Sequence, residues 1–304
     1  MHHRVSAANR SRRVSRKVLC VLLAAMAGPA GAGTVRHTGE VFSDRFVAPH
    51  RGTGPRMAYI GVTTFTMGSS PEEIGYAARE ARHTVTLSPY ALAVDEVTNA
   101  EYCRFLNEEG NQIEDGRPWA LVGPETHGKI RRRNGRFVPV KGYDRHPVVA
   151  LSWLGAAAYC RWLSARTGRA YHLPTEAQWE CGARAGATTY WYWGDTFRPA
   201  LLNCRQTHAA TGTMPVGSYP PNPWGLQDML GNVWEWALDT FSEDFYWMSL
   251  KQDPVLYDGD NWTPVIRGGS YKDSLEFCRP GFRADLWWWG DYDNVGFRVA
   301  CDEE

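Results

Sequence analysis

The sequence lacks the arrangements on which most familiar enzyme classes depend. It contains no Ser-His-Asp order, no paired catalytic carboxylates, no phosphate-binding glycine loop and no zinc-ligand spacing, so triad, glycosidase, P-loop and zinc chemistry all lose their usual signatures. Internal repeats, heptads and low-complexity tracts are also absent, which excludes solenoids and coiled coils. The apolar run from Val18 to Ala27 is too short to span a bilayer, so no integral membrane segment is expected once it is removed. An excess of basic charge is missing as well. Six of the 33 Lys and Arg lie in the first 32 residues with no acid among them, and the rest of the chain holds 27 bases against 33 acids. A mildly acidic body argues against nucleic acid as a partner.

What is present is one large domain's worth of chain: 304 residues, 43% hydrophobic, with 14 Trp and 30 Gly. That composition suits a loop-rich fold in which rings fill the space between short elements. Residues 1–32 read as an export signal, with a basic region, the apolar run, and Ala30-Gly31-Ala32 as a cleavage site. Arg12-Arg13 also has the twin-arginine arrangement, and the expected location is periplasmic or secreted. Residues 33–57 read as a tether and 58–304 as the folded domain. Within it, Tyr59 to Met67 reads as one strand and His83 to Leu87 as another, joined by a charged surface loop from Ser69 to Arg82. Three helices announce themselves by their caps: Thr98 with Glu101, Ser152 with Gly168 beyond the end, and Thr175 with Gln178 closed by Gly186. A few helices among many short strands make an α+β domain.

The stretch Gly225-Leu226-Gln227-Asp228-Met229-Leu230-Gly231-Asn232-Val233-Trp234-Glu235-Trp236 organises the rest. It sets two Trp and two acids beside a Gly-Asn turn, and Glu235 between two rings needs either a cation or several donors to remain ionised. Calcium suits such carboxylate and backbone oxygens, and pairing with an Arg is the alternative. The chain also carries Thr66-Met67-Gly68, Asp95 to Tyr102, Leu173 to Glu180, Arg267-Gly268-Gly269-Ser270-Tyr271 and Asn294-Val295-Gly296-Phe297-Arg298. In this order, these segments resemble the formylglycine-generating enzyme family, also called the sulfatase-modifying factor family, over about residues 58 to 302.

The resemblance implies a C-type-lectin-like fold, and a calcium site formed by Asn232, Val233 and Glu235. It also implies a second calcium site beginning at Asn203 and Cys204, whose later acid has no counterpart here because the Thr211 to Pro215 loop is short. Family members oxidise a cysteine in a sulfatase peptide to an aldehyde, using oxygen and copper(I) held by two thiolates spaced Cys-x4-Cys. Cys278 matches the second thiolate, but Asp273 occupies the first position. A hard carboxylate beside one thiolate makes a poor copper(I) site, so copper is not expected. Ser270, Trp236 and Asn294 fall on positions lining the family's active cleft, while Phe277 replaces a cleft Tyr.

Six cysteines follow the export signal. Cys278 is either a lone reactive thiol or a partner of Cys103, Cys181 or Cys204, and the resemblance implies a Cys160–Cys301 bridge. The candidate catalytic residues are therefore Cys278, Ser270, Trp236, Asn294 and Asp273. The leading expectation is an oxidase-like enzyme acting on a peptide or small metabolite, without the two-cysteine copper mechanism. A periplasmic family branch acting in maturation of the siderophore pyoverdine also lacks the cysteine pair. A non-catalytic binding module and a true formylglycine-generating enzyme are the alternatives.

Overall fold

The computed structural model describes residues 36–207, 212–258 and 262–303; the expected export signal lies outside them. In chain order the elements are β1 (Val41–Phe42), β2 (Met57–Ile60), β3 (Thr63–Met67), β4 (His83–Leu87), β5 (Tyr90–Ala93) and α1 (Asn99–Glu109). Two small hairpins follow, β6 (Ile113–Glu114) with β7 (Arg117–Pro118) and β8 (Ile130–Arg133) with β9 (Arg136–Pro139). Then come α2 (Trp153–Thr167), β10 (Tyr171–His172), α3 (Glu176–Arg184), β11 (Trp234–Thr240), the single turn α4 (Phe245–Met248), β12 (Pro264–Arg267), β13 (Arg283–Asp285), β14 (Val295–Gly296) and β15 (Ala300–Asp302). The α+β expectation holds.

The caps explain the helices. Thr98 and Glu101 form a reciprocal capping box, Ser152 accepts from the Gly155 amide, and Thr175 and Gln178 form a second box. Each satisfies amides that the first helical turn leaves without partners. The third helix ends at Ala185, which is left-handed itself, one residue before the expected Gly186.

Two sheets position the rest. One runs β1-β2-β5-β15-β10 and the other β13-β12-β11-β14, in which β11 and β14 pair in parallel. Here β11 is buried at every residue, so the organising stretch leads into the centre of the molecule.

Three sequence expectations change. The strand expected from Tyr59 to Met67 is two, β2 and β3, which lie in different sheets and are broken at Gly61-Val62. The ordered fold begins before residue 58, because β1 pairs with β2 and Phe46 is buried against the core. The 69–82 segment is no simple surface loop either. Its Glu73 and Glu80 are buried and pair with Arg279 at 3.4 and 3.1 Å. A carboxylate so enclosed needs its cation, and that cation lies some two hundred residues away in sequence, outside the reach of a local pattern.

Candidate functional site

Four distant segments meet where β11 begins. Asn232 N–H donates to Asn203 O at 2.8 Å, Gly231 N–H to Gly268 O at 2.9 Å, Tyr271 N–H to Asn232 O at 3.0 Å and Trp234 N–H to Asn294 O at 2.8 Å. The Gly231-Asn232 turn thus holds the 203 segment, the Gly-Gly-Ser turn and the start of β14 together by backbone bonds. Gly231 is required there, since a Cβ would stand 2.3 Å from Asn203 O.

On this frame Ser270, Asp273 and Asn294 converge. Asn294 Nδ2 donates to Ser270 Oγ at 3.0 Å, and Ser270 Oγ in turn donates to the Asp273 carboxylate in a short hydrogen bond. Ser270 is fully buried, whereas Asp273 and Asn294 are half-buried. The arrangement fixes a hydroxyl between an amide and a carboxylate, and leaves the carboxylate partly exposed. Beside it, Lys272 and Tyr271 both bind Asp293.

Cys278 lies under the same turn, fully buried, and Trp191 Nε1 donates to its carbonyl at 2.8 Å. It is a free thiol, as are Cys103, Cys181 and Cys204, so none of the bridges left open for Cys278 is formed. The influence of the Cys204 thiol, then burial, pushes Cys278 well above the ordinary range.

Trp236 does not join this group at the surface. It is fully buried on β11, opposite Ile266, with its ring 6.3 Å from Tyr292.

The calcium ligand set fares differently. Glu235 is fully engaged: Arg298 binds both of its oxygens at 2.7 Å, and Trp179 Nε1 donates to Oε2 at 2.8 Å. Arg298 also donates to the carbonyls of Ala93, Val94 and Gln227. Glu235 is therefore an ion-paired core carboxylate, and as a calcium ligand it does not fit. The Asn232 side chain is similarly spent, donating to Glu96 Oε1 at 2.9 Å and accepting from Met214 N–H at 2.8 Å. Val233 is buried beside them. The least compensated acids near this turn are instead Glu96 and Asp228. Burial, then the like charge of Asp228, pushes Glu96 well above the usual carboxylate range, and its Oε2 has no partner.

Nor is the Cys160–Cys301 bridge formed. Both are buried free thiols. The Cys301 sulfur accepts from Arg169 at 3.4 Å, while the Cys160 thiol acts electrostatically on Tyr102 and Tyr159, so the two face different surroundings. His83 and His146 bind a carbonyl and a hydroxyl, consistent with structural roles. A cleft of about 370 Å³ between β3, β4 and the end of α3 contains none of the candidate site residues.

Sequence reasoning gave no site role to Glu96 or Arg298, and gave Cys204 one only as the start of an implied second calcium site and as a possible partner of Cys278. Arg298 was visible in the Asn294 to Arg298 segment, but its pairing with Glu235 spans 63 positions. Cys204 carried one hint, its adjacency to Asn203 at the start of a family loop.

Comparison with known proteins identifies the family and fold. The sulfatase-modifying factor enzyme 1-like domain matches residues 43–303. Formylglycine-generating enzyme of Streptomyces coelicolor is 33% identical over 283 residues, covering 79% of this chain and 87% of that protein. The serine/threonine-protein kinase pkn1 of Chlamydia pneumoniae is 37% identical over 203 residues, or 66% of this chain, which spans only about a third of that protein (31%). Among solved structures, PvdO from Pseudomonas aeruginosa is 28% identical with a TM-score of 0.71, covering 88% of this chain and 100% of that one. The chain belongs to the sulfatase-modifying factor enzyme 1-like, or formylglycine-generating enzyme, family, and has its fold.

Proposed function

We propose that this protein is an oxidase-like enzyme of its family, acting on a peptide or small metabolite at the turn that carries Ser270, Asp273 and Asn294, without the two-cysteine copper mechanism. The observation that carries this reading is Asp273: where the resemblance implies the first thiolate, this chain puts a half-exposed carboxylate hydrogen-bonded to an oriented serine. Copper(I) prefers sulfur, and a solvated carboxylate adds little to its binding. The same carboxylate is well suited to remove a proton from a substrate C–H, O–H or N–H bond. Ser270 and Asn294 position it.

Calcium enters the proposal with a changed ligand set. Glu235 being closed by Arg298, the oxygens that would welcome a cation beside the Asn232-Val233 turn are those of Glu96 and Asp228, where a divalent ion would relieve two buried like charges. Its role would be to fix the turn.

The enzymatic reading is tested by comparing wild type with Asp273→Asn on peptide and metabolite mixtures in air, followed by mass spectrometry. A dehydrogenated or oxygenated product formed only by wild type supports it. If no species differs between the two folded proteins, the enzymatic reading is lost and a binding module takes its place.

A further inference from the structure

We infer that the open edge of β3 is a docking site for an extended peptide segment of another polypeptide, taken up as an added strand in the cleft beside the end of α3. The inference does not depend on the oxidase or calcium readings, since none of their residues lines this cleft.

The two edges of the β3–β4 hairpin, which forms a sheet of its own, are treated differently. On the β4 edge, Thr86 N–H donates to Lys251 O at 2.7 Å and Thr86 O accepts from Asp253 N–H at 2.9 Å, so the 251–253 segment covers it. Because these groups of Thr86 turn away from β3, its register partner Thr64 belongs to a non-hydrogen-bonded pair. The close approach of the two threonine hydroxyls, 2.8 Å, agrees. The N–H and C=O of Thr64, and by alternation those of Thr66, therefore point out of the open edge. They have no backbone partner among the described residues.

Open edges are ordinarily blunted by charge, proline or a covering segment, because they template pairing with other chains. The small hairpins follow that rule: β7 ends in Pro118, and β8 and β9 carry Arg131, Arg132, Arg133 and Arg136. The β3 edge, Thr63-Thr64-Phe65-Thr66-Met67, has neither charge nor proline. It borders the cleft of about 370 Å³, a volume typical of ligand sites, which Gly186, Ala187 and Thr188 also line.

Alternation along the strand sets what the occupant carries. Phe65 is half-buried on the face that packs against the core, and Trp224 lines the cleft with it. Thr64, Thr66 and Arg82 are exposed. Among the described residues Arg82 donates only through Nη2, to Glu73 at 3.2 Å, and no acid lines the cleft. A segment with apolar residues at alternate positions and acids between them matches both faces, while its main chain pairs with Thr64 and Thr66.

The test titrates the full chain into the fluorescein-labelled peptide Glu-Val-Glu-Val-Glu-Val-Glu and follows anisotropy, with amide hydrogen exchange read in parallel. Saturable binding is expected, with exchange slowed at Thr64 and Thr66. Two further peptides carry methyl groups on the backbone nitrogens of the Glu or of the Val residues. An added strand turns only alternate amides to the edge, so one of these should bind about tenfold more weakly and the other as before. Thr64→Pro removes a donor that has no partner in the free protein, and should fold yet also bind about tenfold more weakly. Absence of binding at millimolar peptide, affinity that the two methylated peptides keep or lose equally, or unchanged exchange at Thr64 and Thr66 would overturn the inference. So would protection of those amides in the free chain that rises with protein concentration, because the occupant would then be a second copy.

Discussion

Two regions on either side of β11 treat buried charge in opposite ways. Around α3, the carboxylates of Glu176 and Glu180 are fully buried and bind Arg283, Arg267 and Arg184, with Arg283 bidentate on Glu176 at 2.7 and 2.8 Å. Burial opposes the charge of Glu180, yet Arg184 and Arg267 more than offset it and hold its pKa below the ordinary value. Around the Gly-Asn turn and the Gly-Gly-Ser turn the accounts do not balance in this way. Glu96 has an oxygen without a partner, Asp273 faces solvent in part, and Cys204 and Cys278 are buried free thiols. The first region is a finished framework. The second keeps groups whose proton or electron content can change, which is what a reactive site requires.

Breaking the framework should have the largest effect. Replacing Arg267 or Arg298 by Ala leaves Glu180 or Glu235 buried with a lost cation, and each should destabilise the fold by about 3–5 kcal/mol in urea unfolding. A cost below about 1 kcal/mol would mean that these pairs are not the scaffold.

Asp239 is the exception within the framework, an acid with too few cations. Burial, then the nearby Glu176, pushes it up to about 7 from an ordinary value of 3.8. The folded state therefore holds a proton that the unfolded chain releases near 4. Its contribution to stability is full below that value and is lost as pH rises through about 7, a change on the order of a few kcal/mol. Asp239→Asn should flatten the fall in melting temperature between about pH 4 and 7. An unchanged slope would place the titration elsewhere.

Calcium tests the unbalanced turn. At a concentration roughly 100-fold above Kd, a bound ion should stabilise the folded state by about 2.7 kcal/mol, and Asp228→Asn should lose most of that gain. No calcium-dependent shift in wild type would remove the cation from the account.

How much of this was legible beforehand divides along the same line. The caps of all three main helices are local, carried by Thr98 with Glu101, Ser152, and Thr175 with Gln178, and all are found. Ser270, Asp273 and Asn294 were also legible, through motif register, and the fold joins them. What escaped depends on contacts between distant segments: Arg298 on Glu235, and Arg279 on Glu73 and Glu80. Residue type alone made Glu235 a candidate for either an Arg or a calcium ion, and only the placement of Arg298 distinguishes them. The lead-in was undervalued for a similar reason, because β1 is two residues long and gains its meaning from pairing with β2.

The central claim is that Asp273 has replaced copper chemistry at this turn. Its most direct test is to load the reduced wild-type protein with copper(I), incubate it in air with a sulfatase-type cysteine peptide, and follow the peptide by mass spectrometry. The account predicts no aldehyde from wild type, and tighter copper(I) binding by Asp273→Cys when Cys278 is reduced. Clear aldehyde formation by the wild-type protein would contradict it and identify the chain as a working formylglycine-generating enzyme.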